Sequence, residues 1–298
     1  MVGICCHDAG AAELISSYVL QHKLDHQFTF SLSGPSVEIF EKKLGILKNY
    51  PIDSVIQKSD QIFCGTGWNK FEITAMIKAR NMKKYLVVFL DHWVNYKERF
   101  EYKGNLILPD EIWVSDIYAK NLALKLFKSV KIKLIENYFL NDIKEKYKRA
   151  SFSHKKKSNN QKILFLSDNN NSVIDSGFLK DSTFICRDEE MAEYFLNNIR
   201  LVVEDISQIV IRPHPSETQV LSKYKSIFDQ YKIPFIIGGK TNLLEEISCS
   251  EIVVGADSMA LVVAMVCGKK TYTCTPPNAS YTLPFKEIQQ LRKIKEKM

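Results

Sequence analysis

The segment Ile209-Val-Ile-Arg-Pro-His-Pro-Ser-Glu217 reads as an apolar strand that stops abruptly in a constrained turn and hands the chain to a helix. Pro213 and Pro215 fix their own φ angles and bias Arg212 and His214 toward extended geometry, so the imidazole leaves the sheet in one direction. Ser216 is placed to cap a helix starting at Glu217. The free N–H groups of that helix would face the same crevice as Arg212 and His214 and suit an anionic group such as a phosphate. The plainer alternative is a rigid strand-to-helix turn with a surface histidine, and a short motif alone does not decide between them.

Outward from this turn, the same strand-then-helix grammar fills the chain. Strands are expected at Lys162 to Leu166, Phe184 to Ile185, Pro234 to Ile237, Glu251 to Val254 and Lys270 to Thr273, with a long helix from Asp188 to Val203. The first half repeats the pattern with strands at Val2 to Cys6, Phe28 to Leu32, Gln61 to Cys64, Tyr85 to Leu90, Glu111 to Val114 and Lys131 to Glu136. Helices fall between them from about Ala11, over Ser36 to Leu47, Phe71 to Met82 and Ile117 to Phe127, and after them over Tyr138 to Arg149. Strands alternating with helices at this spacing predict an α/β fold of βαβ units around parallel sheets. Ala150 to Gln161 is polar, basic and without apolar periodicity, which marks a linker. The expected organisation is an N-terminal domain over 1–149, a linker over 150–161, a second domain over 162–282, and a C-terminal helix over 283–298 that could brace the first domain. These would be two Rossmann-like domains facing across a cleft, with ligands beyond the carboxyl ends of the strands.

Composition narrows the function classes. A chain of 298 residues that is 45% hydrophobic is long enough for two folded domains. It has no apolar run of membrane-spanning length, and Met1 to Asp8 lacks the features of a signal peptide, so a cytoplasmic protein is expected. Seven cysteines, mostly in apolar runs and with no Cys-x-x-Cys, fit reduced core thiols and argue against a zinc ribbon. The net charge of +7 concentrates in Lys144 to Lys157 and in Lys286, Arg292, Lys293, Lys295 and Lys297. Solvated helix faces explain such runs, and peripheral contact with an anionic membrane is the functional alternative. No nucleic-acid module is present, so nucleic acid is not an expected partner.

Chemistry-bearing residues gather at the strand ends. In the second half these are Ser167-Asp168-Asn169, Arg212 to Pro215, Gly238-Gly-Lys240 and Gly255-Ala-Asp257-Ser258-Met259, the last opening a helix from Met259 to Cys267. The distance in sequence from His214 to Ser258 would allow their two turns to be neighbours in the sheet. In the first half, His7-Asp8-Ala-Gly10 follows the first strand. Asp8 sits where an acceptor hydroxyl could lose a proton, and Gly10 allows close backbone approach. Cys64-Gly-Thr-Gly67 ends another strand, with too few glycines for a dinucleotide fingerprint. Asp91-His92-Trp93-Val-Asn-Tyr96-Lys-Glu-Arg99 has the composition of a pocket: Asp91 or His92 as base or hydroxyl ligand, Trp93 and Tyr96 as stacking faces. Its alternative is a folded-down loop whose aromatics pack on the core, with Asp91 paired to Arg99.

Ile-Arg-Pro-His-Pro-Ser-Glu217, together with Leu243-Leu-Glu-Glu-Ile-Ser-Cys-Ser-Glu-Ile-Val-Val-Gly-Ala-Asp-Ser258 and the apolar helix after it, resembles the carboxyl-terminal half of GT-B glycosyltransferases over about ninety residues. It is most similar to sialyltransferase-like and Kdo-transferase-like enzymes, which use CMP-activated sugars, and it is related to the CDP-glycerol glycerophosphotransferases. The resemblance implies a donor site in which His214 and Pro215 hold the nucleotide and Ser258 its phosphate; Asp257 or Met259 replaces the second serine of the usual pair. The sequence thus predicts an enzyme, a glycosyltransferase moving a sugar from a CMP-sugar donor to a hydroxyl of a surface glycan or glycolipid. Asp8 or Asp91 would be the base; Arg212, His214, Pro215, Ser216, Asp257, Ser258 and Ser167 would bind the donor; His7, Gly10, His92, Trp93 and Tyr96 would bind the acceptor. No cofactor is expected, and with no Asp-x-Asp motif, no metal. A nucleotide-sugar epimerase or hydrolase, or a non-catalytic binding protein, remains the rival.

Overall fold

The computed structural model describes residues 1–151, 162–175, 185–214, 217 and 220–296. Pro215, Ser216, Phe184 and all of the expected linker except its first two residues lie outside the described residues. The chain divides into two compact units, Met1–Asn141 and Asp142–Met298.

Unit 1 runs through β1 (Val2–Cys6), α1 (Ala9–His22), β2 (Phe28–Leu32), α2 (Pro35–Leu44), α3 (Ile52–Lys58), β3 (Gln61–Cys64), α4 (Lys70–Asn81) and β4 (Tyr85–Leu90). A small hairpin of β5 (Glu101–Tyr102) and β6 (Asn105–Leu106) follows, then β7 (Glu111–Val114), α5 (Ile117–Leu126), β8 (Lys131–Leu134) and α6 (Tyr138–Ser151), inside which the unit boundary falls. Six strands form a parallel sheet in the order β2-β1-β3-β4-β7-β8. Its central strands are apolar on both faces because both faces are covered. Ile4, Cys6, Phe63, Val87, Phe89 and Trp113 pack with α1 on one side, and Cys5, Cys64, Leu86, Val88 and Leu90 with α3 and α4 on the other. The period-2 alternation of strand side chains divides the two cores.

Unit 2 runs through β9 (Lys162–Leu166), α7 (Asn170–Asp175), α8 (Asp188–Asn197), β10 (Gln208–Arg212), α9 (Val220–Gln230), β11 (Phe235–Ile237) and α10 (Leu243–Ser248). It ends with β12 (Ile252–Gly255), α11 (Met259–Val266), β13 (Lys270–Thr273), β14 (Ile288–Gln290) and α12 (Leu291–Lys295). Its sheet is also parallel, in the order β11-β10-β9-β12-β13-β14, the doubly wound 3-2-1-4-5-6 arrangement. One buried cluster has Phe165, Phe195, Tyr224 and Phe228 at its centre, and Leu164, Val253, Leu261 and Val262 are buried outside it.

Four local expectations are corrected. The C-terminal helix does not begin at Leu283: β14 comes first, pairing Ile288 to Gln290 with Thr271 to Thr273, and only Leu291–Lys295 is helical, with Leu291 buried in the core of unit 2. The turns after β10 and β12 are not neighbours, because β9 lies between them. Glu217 is not helical, the helix after the His-Pro turn being described over Val220–Gln230, and Ile185 belongs to no strand.

Candidate functional site

Strand order fixes where a ligand site forms. In unit 1 the order reverses between β1 and β3, so the loops after these strands, His7-Asp8 and Gly65-Thr-Gly67, open a crevice at their carboxyl ends. Glu72, in the first turn of α4 and 1% exposed, ties the two loops together. It accepts the backbone N–H groups of His7 (3.0 Å), Asp8 (3.1 Å) and Gly67 (2.6 Å). Burial pushes its carboxyl up, and these three donors oppose that shift by favouring the charged form. Side chains at Gly65 or Gly67 would collide with Glu72, which is why the β3 loop is built of glycine.

Asp8 caps α1 without using its side chain to do so. Burial and the neighbouring Asp91 raise its pKa, against His92, Arg99 and His7. Asp91, just after β4, presses against α1 where Gly10 leaves room: a Cβ at Gly10 would collide with Asp91 Oδ2. Its side chain is 2% exposed, and neither carboxylate oxygen accepts a hydrogen bond. His92 Nε2 lies 3.3 Å from Oδ2, and Arg99 Nη1 lies 3.9 Å from Oδ1. Arg99 is itself spent on the carbonyls of Thr66 and Val94 and on the face of Trp68, 5.3 Å away. Thus Asp8, Asp91, His92 and Gly10 converge. His7 is close by, wedged against Gly34, with its Nδ1 buried and unpaired.

The aromatic residues expected to face the acceptor behave differently. Tyr96 is 2% exposed and sits inside the core, which corrects the expectation of a stacking face there. Trp93 packs partly on the same core, its indole N–H donating to Asp116 at 2.8 Å. The exposed aromatic at this end of unit 1 is Trp68, 59% exposed in the loop after β3, which no motif in the sequence singles out.

In unit 2 the order reverses between β9 and β12, which brings Ser167-Asp168 beside Asp257-Ser258. Asp168 Oδ2 accepts the N–H of Asp257 at 3.0 Å, while Oδ1 is sealed from solvent without a partner. Burial pushes the Asp168 carboxyl up to about 6, against that backbone bond and the nearby Ser258 hydroxyl. Asn169, next in the chain, takes a left-handed φ of 57°, a conformation asparagine tolerates. Ser258 is the N-cap of α11 but makes no capping bond, and its Oγ is buried beside the Asp168 carboxyl.

Other residues expected at the donor site are occupied. Asp257 clamps the Thr282 and Leu283 backbone (3.0 Å each) and the Thr282 hydroxyl (2.5 Å). Ser167 Oγ bonds the Tyr224 hydroxyl at 2.6 Å. Arg212 is drawn toward β11, paired with Glu246 at 2.6 Å and Thr241 O at 3.1 Å. That ion pair leaves Arg212 a weaker anion ligand than the sequence suggested. His214 is exposed, and its N–H donates to Glu217 at 2.7 Å.

No protein-family model matches the chain, and no curated protein sequence matches it. Solved structures do. The S. aureus MnaA–UDP co-structure aligns at 12% identity and a TM-score of 0.60, over 93% of this chain and 80% of that one. A putative UDP-N-acetylglucosamine 2-epimerase from Listeria monocytogenes aligns at 14% identity and 0.56, over 92% and 78%. Acinetobacter baumannii MurG aligns at 9% identity and 0.51, over 93% and 79%. The fold is GT-B. At these identities the likeness extends to architecture: two Rossmann-like α/β units, each with its own switch point. Within that GT-B frame the buried thiols of β1 and β3 are poor nucleophiles. Burial pushes Cys5 up to about 12 and holds Cys6 and Cys64 well above the usual range. Nor is the basic stretch of α6 uniformly unpaired: Lys146 bonds Asp142 and Lys148 bonds Glu145, each at 2.6 Å. Among the described residues no helix is long and apolar enough to cross a membrane.

Proposed function

We propose that this protein is a glycosyltransferase that moves a sugar from a cytidine-nucleotide donor to a hydroxyl of a surface glycan or glycolipid. A CMP-activated nonulosonic acid or Kdo-type sugar is favoured by the likeness of the His214 and Ser258 motifs to those of CMP-sugar enzymes. The observation that carries the reading is at the unit 2 switch point: a Ser258 hydroxyl that makes no capping bond at the N-terminus of α11. Free N–H donors and a hydroxyl are the groups that receive a phosphate, and the helix dipole favours its charge. As the glycosidic bond to the phosphate breaks, negative charge grows on the departing nucleotide, and donors fixed in advance stabilise it. His214, exposed at the end of β10, would close over the nucleotide. In unit 1, Asp8 or Asp91 would take the proton of the acceptor hydroxyl. Trp68 offers the acceptor a flat face beside them.

A thermal-shift series with CMP, CDP, UDP and GDP tests the donor. CMP or CDP is expected to stabilise the protein most, and Ser258→Ala and His214→Ala to weaken that effect by about ten-fold in affinity, the value of one or two hydrogen bonds to a charged group. No cytidine-nucleotide binding by calorimetry would sink the reading.

The second reading is a nucleotide-sugar epimerase or hydrolase, favoured by the convergence of two carboxylates and an imidazole, which supplies both an acid and a base. Product analysis without an acceptor separates the two, since such an enzyme would release an altered or free sugar. A purely binding protein would tolerate Asp8→Asn and Asp91→Asn in every assay of ligand affinity.

A further inference from the structure

The cluster in unit 1 has a property that neither a base nor a hydroxyl ligand requires. One ligand atom each from Asp8, Asp91 and His92 lie within 4.8 Å of one another, a spacing that one small cation can span. The three come from the ends of two different strands, β1 and β4, so the grouping is made by the fold and not by chain adjacency alone. We propose that Asp8, Asp91 and His92 form a binding site for one divalent transition-metal ion of the Mn2+ or Zn2+ class.

Asp91 supplies the independent support. Its side chain is only 2% exposed, yet neither carboxylate oxygen accepts a hydrogen bond. Carboxylates buried to this degree are hydrogen-bonded, paired or coordinated, because an unsatisfied buried charge is costly. The contacts with His92 Nε2 (3.3 Å from Oδ2) and Arg99 Nη1 (3.9 Å from Oδ1) leave both oxygens without a hydrogen bond, and Arg99 gives its own to the Thr66 and Val94 carbonyls. Two carboxylates facing one guanidinium and an imidazole leave negative charge for a cation to balance. Gly10 keeps the first turn of α1 bare just where Asp91 Oδ2 reaches it, which lets the carboxylate pack against the helix beside Asp8. The loop beneath is held by Glu72 through the His7 and Asp8 amides, which fixes Asp8 without using the Asp8 carboxylate.

The donor set selects the ion. Mg2+ and Ca2+ favour all-oxygen shells, whereas an imidazole with two carboxylates suits Zn2+ or Mn2+. Three protein ligands leave coordination positions for an oxygen of a bound molecule, the pattern of a reactive site and not of a structural one. An ion here would act as a Lewis acid toward a sugar or acceptor oxygen. The metal-free expectation from the missing Asp-x-Asp motif would then hold for the donor phosphates alone. The site does not depend on the glycosyl-transfer reading, since ion binding needs neither donor nor acceptor.

Calorimetry on the full chain, stripped with EDTA and dialysed, tests it with MnCl2 and ZnCl2 against MgCl2 and CaCl2. One Mn2+ or Zn2+ per chain is expected, with affinity at least about ten-fold weaker in both Asp91→Asn and His92→Ala. His92 is 39% exposed, so its variant keeps the fold if Asp91→Asn does not, and then decides alone. Exposed Cys249 is the obvious competing zinc ligand. Ion binding that persists unchanged in the variants, or no binding below about 1 mM in the wild type, overturns the proposal. CMP binding in the same samples is read separately, so failure of the ion site and failure of the donor reading remain distinct.

Discussion

Asp168 is an acid whose environment opposes its charge. With a folded pKa of about 6 against an ordinary 3.8, it binds its proton more tightly folded than unfolded. Its contribution to stability is therefore fully present below about pH 4 and is lost as pH rises through about 6. A pKa raised by about two, at about 1.4 kcal/mol for each, makes the ionised form up to about 3 kcal/mol unfavourable at about pH 7.5. Asp168→Asn keeps an oxygen for the Asp257 N–H and cannot ionise. Denaturant titrations should find this variant more stable than wild type at about pH 7.5, with the difference vanishing near pH 4; a difference independent of pH would refute the account. Burial raises Glu72 as well, but its carboxylate accepts three backbone N–H groups. Glu72→Ala would strand three backbone donors, and a loss of about 3 kcal/mol or more is expected in the same assay. Asp8, Asp91, Asp168 and Ser258 were readable in sequence because each follows an apolar strand. Glu72 was not, since Lys70-Phe71-Glu72 looks like any helix start with an acid in its first turn. Only the glycines of Gly65-Thr-Gly67, just before it, hinted at a loop folded onto something.

Elements were legible where burial on both faces writes a continuous apolar run, as in Tyr85 to Leu90, and less so at the edges. Ile288-Gln-Gln-Leu291 has the apolar spacing of a helix, but Ile288 to Gln290 lie along β13, and pairing at the sheet edge overrides that local pattern. Strand order was not legible at all. Nothing in the His214 to Ser258 interval says that β9 will insert between their strands, because that pairing is made by residues more than forty positions earlier. The contact of α1 with β4 is where an element-scale prediction belongs. On helix propensity alone Gly10→Ala would stabilise α1 by about 1 kcal/mol. Against that, the new methyl collides with Asp91 Oδ2, held in a buried site with little freedom to retreat. The collision should win: a net loss of about 1–3 kcal/mol by chemical denaturation, together with loss of Mn2+ or Zn2+ binding. A stabilised variant with ion binding intact would show that Asp91 is free to move.

At the scale of the molecule, the buried clusters of unit 1 draw on residues 2 to 135 and the cluster of unit 2 on residues 163 to 294, with none in common. Each unit thus has its own cooperative core and its own switch point, and a ligand that binds one should stabilise that one. The sequence supplies a reporter. Its three tryptophans, Trp68, Trp93 and Trp113, all lie in unit 1, so intrinsic fluorescence follows unit 1 alone while far-ultraviolet circular dichroism follows both. At a concentration about a hundred times its dissociation constant, a ligand adds about 2.7 kcal/mol, which for a unit of this size is a rise in melting temperature of about 5–10 °C. CMP is expected to raise a transition seen by circular dichroism and leave the fluorescence transition in place. Mn2+ or Zn2+ is expected to raise the fluorescence transition and the circular-dichroism transition that coincides with it, leaving that of unit 2 in place. If CMP also raises the fluorescence transition, the units unfold as one, and the assignment of a donor site to unit 2 and an ion site to unit 1 must rest on the variants alone.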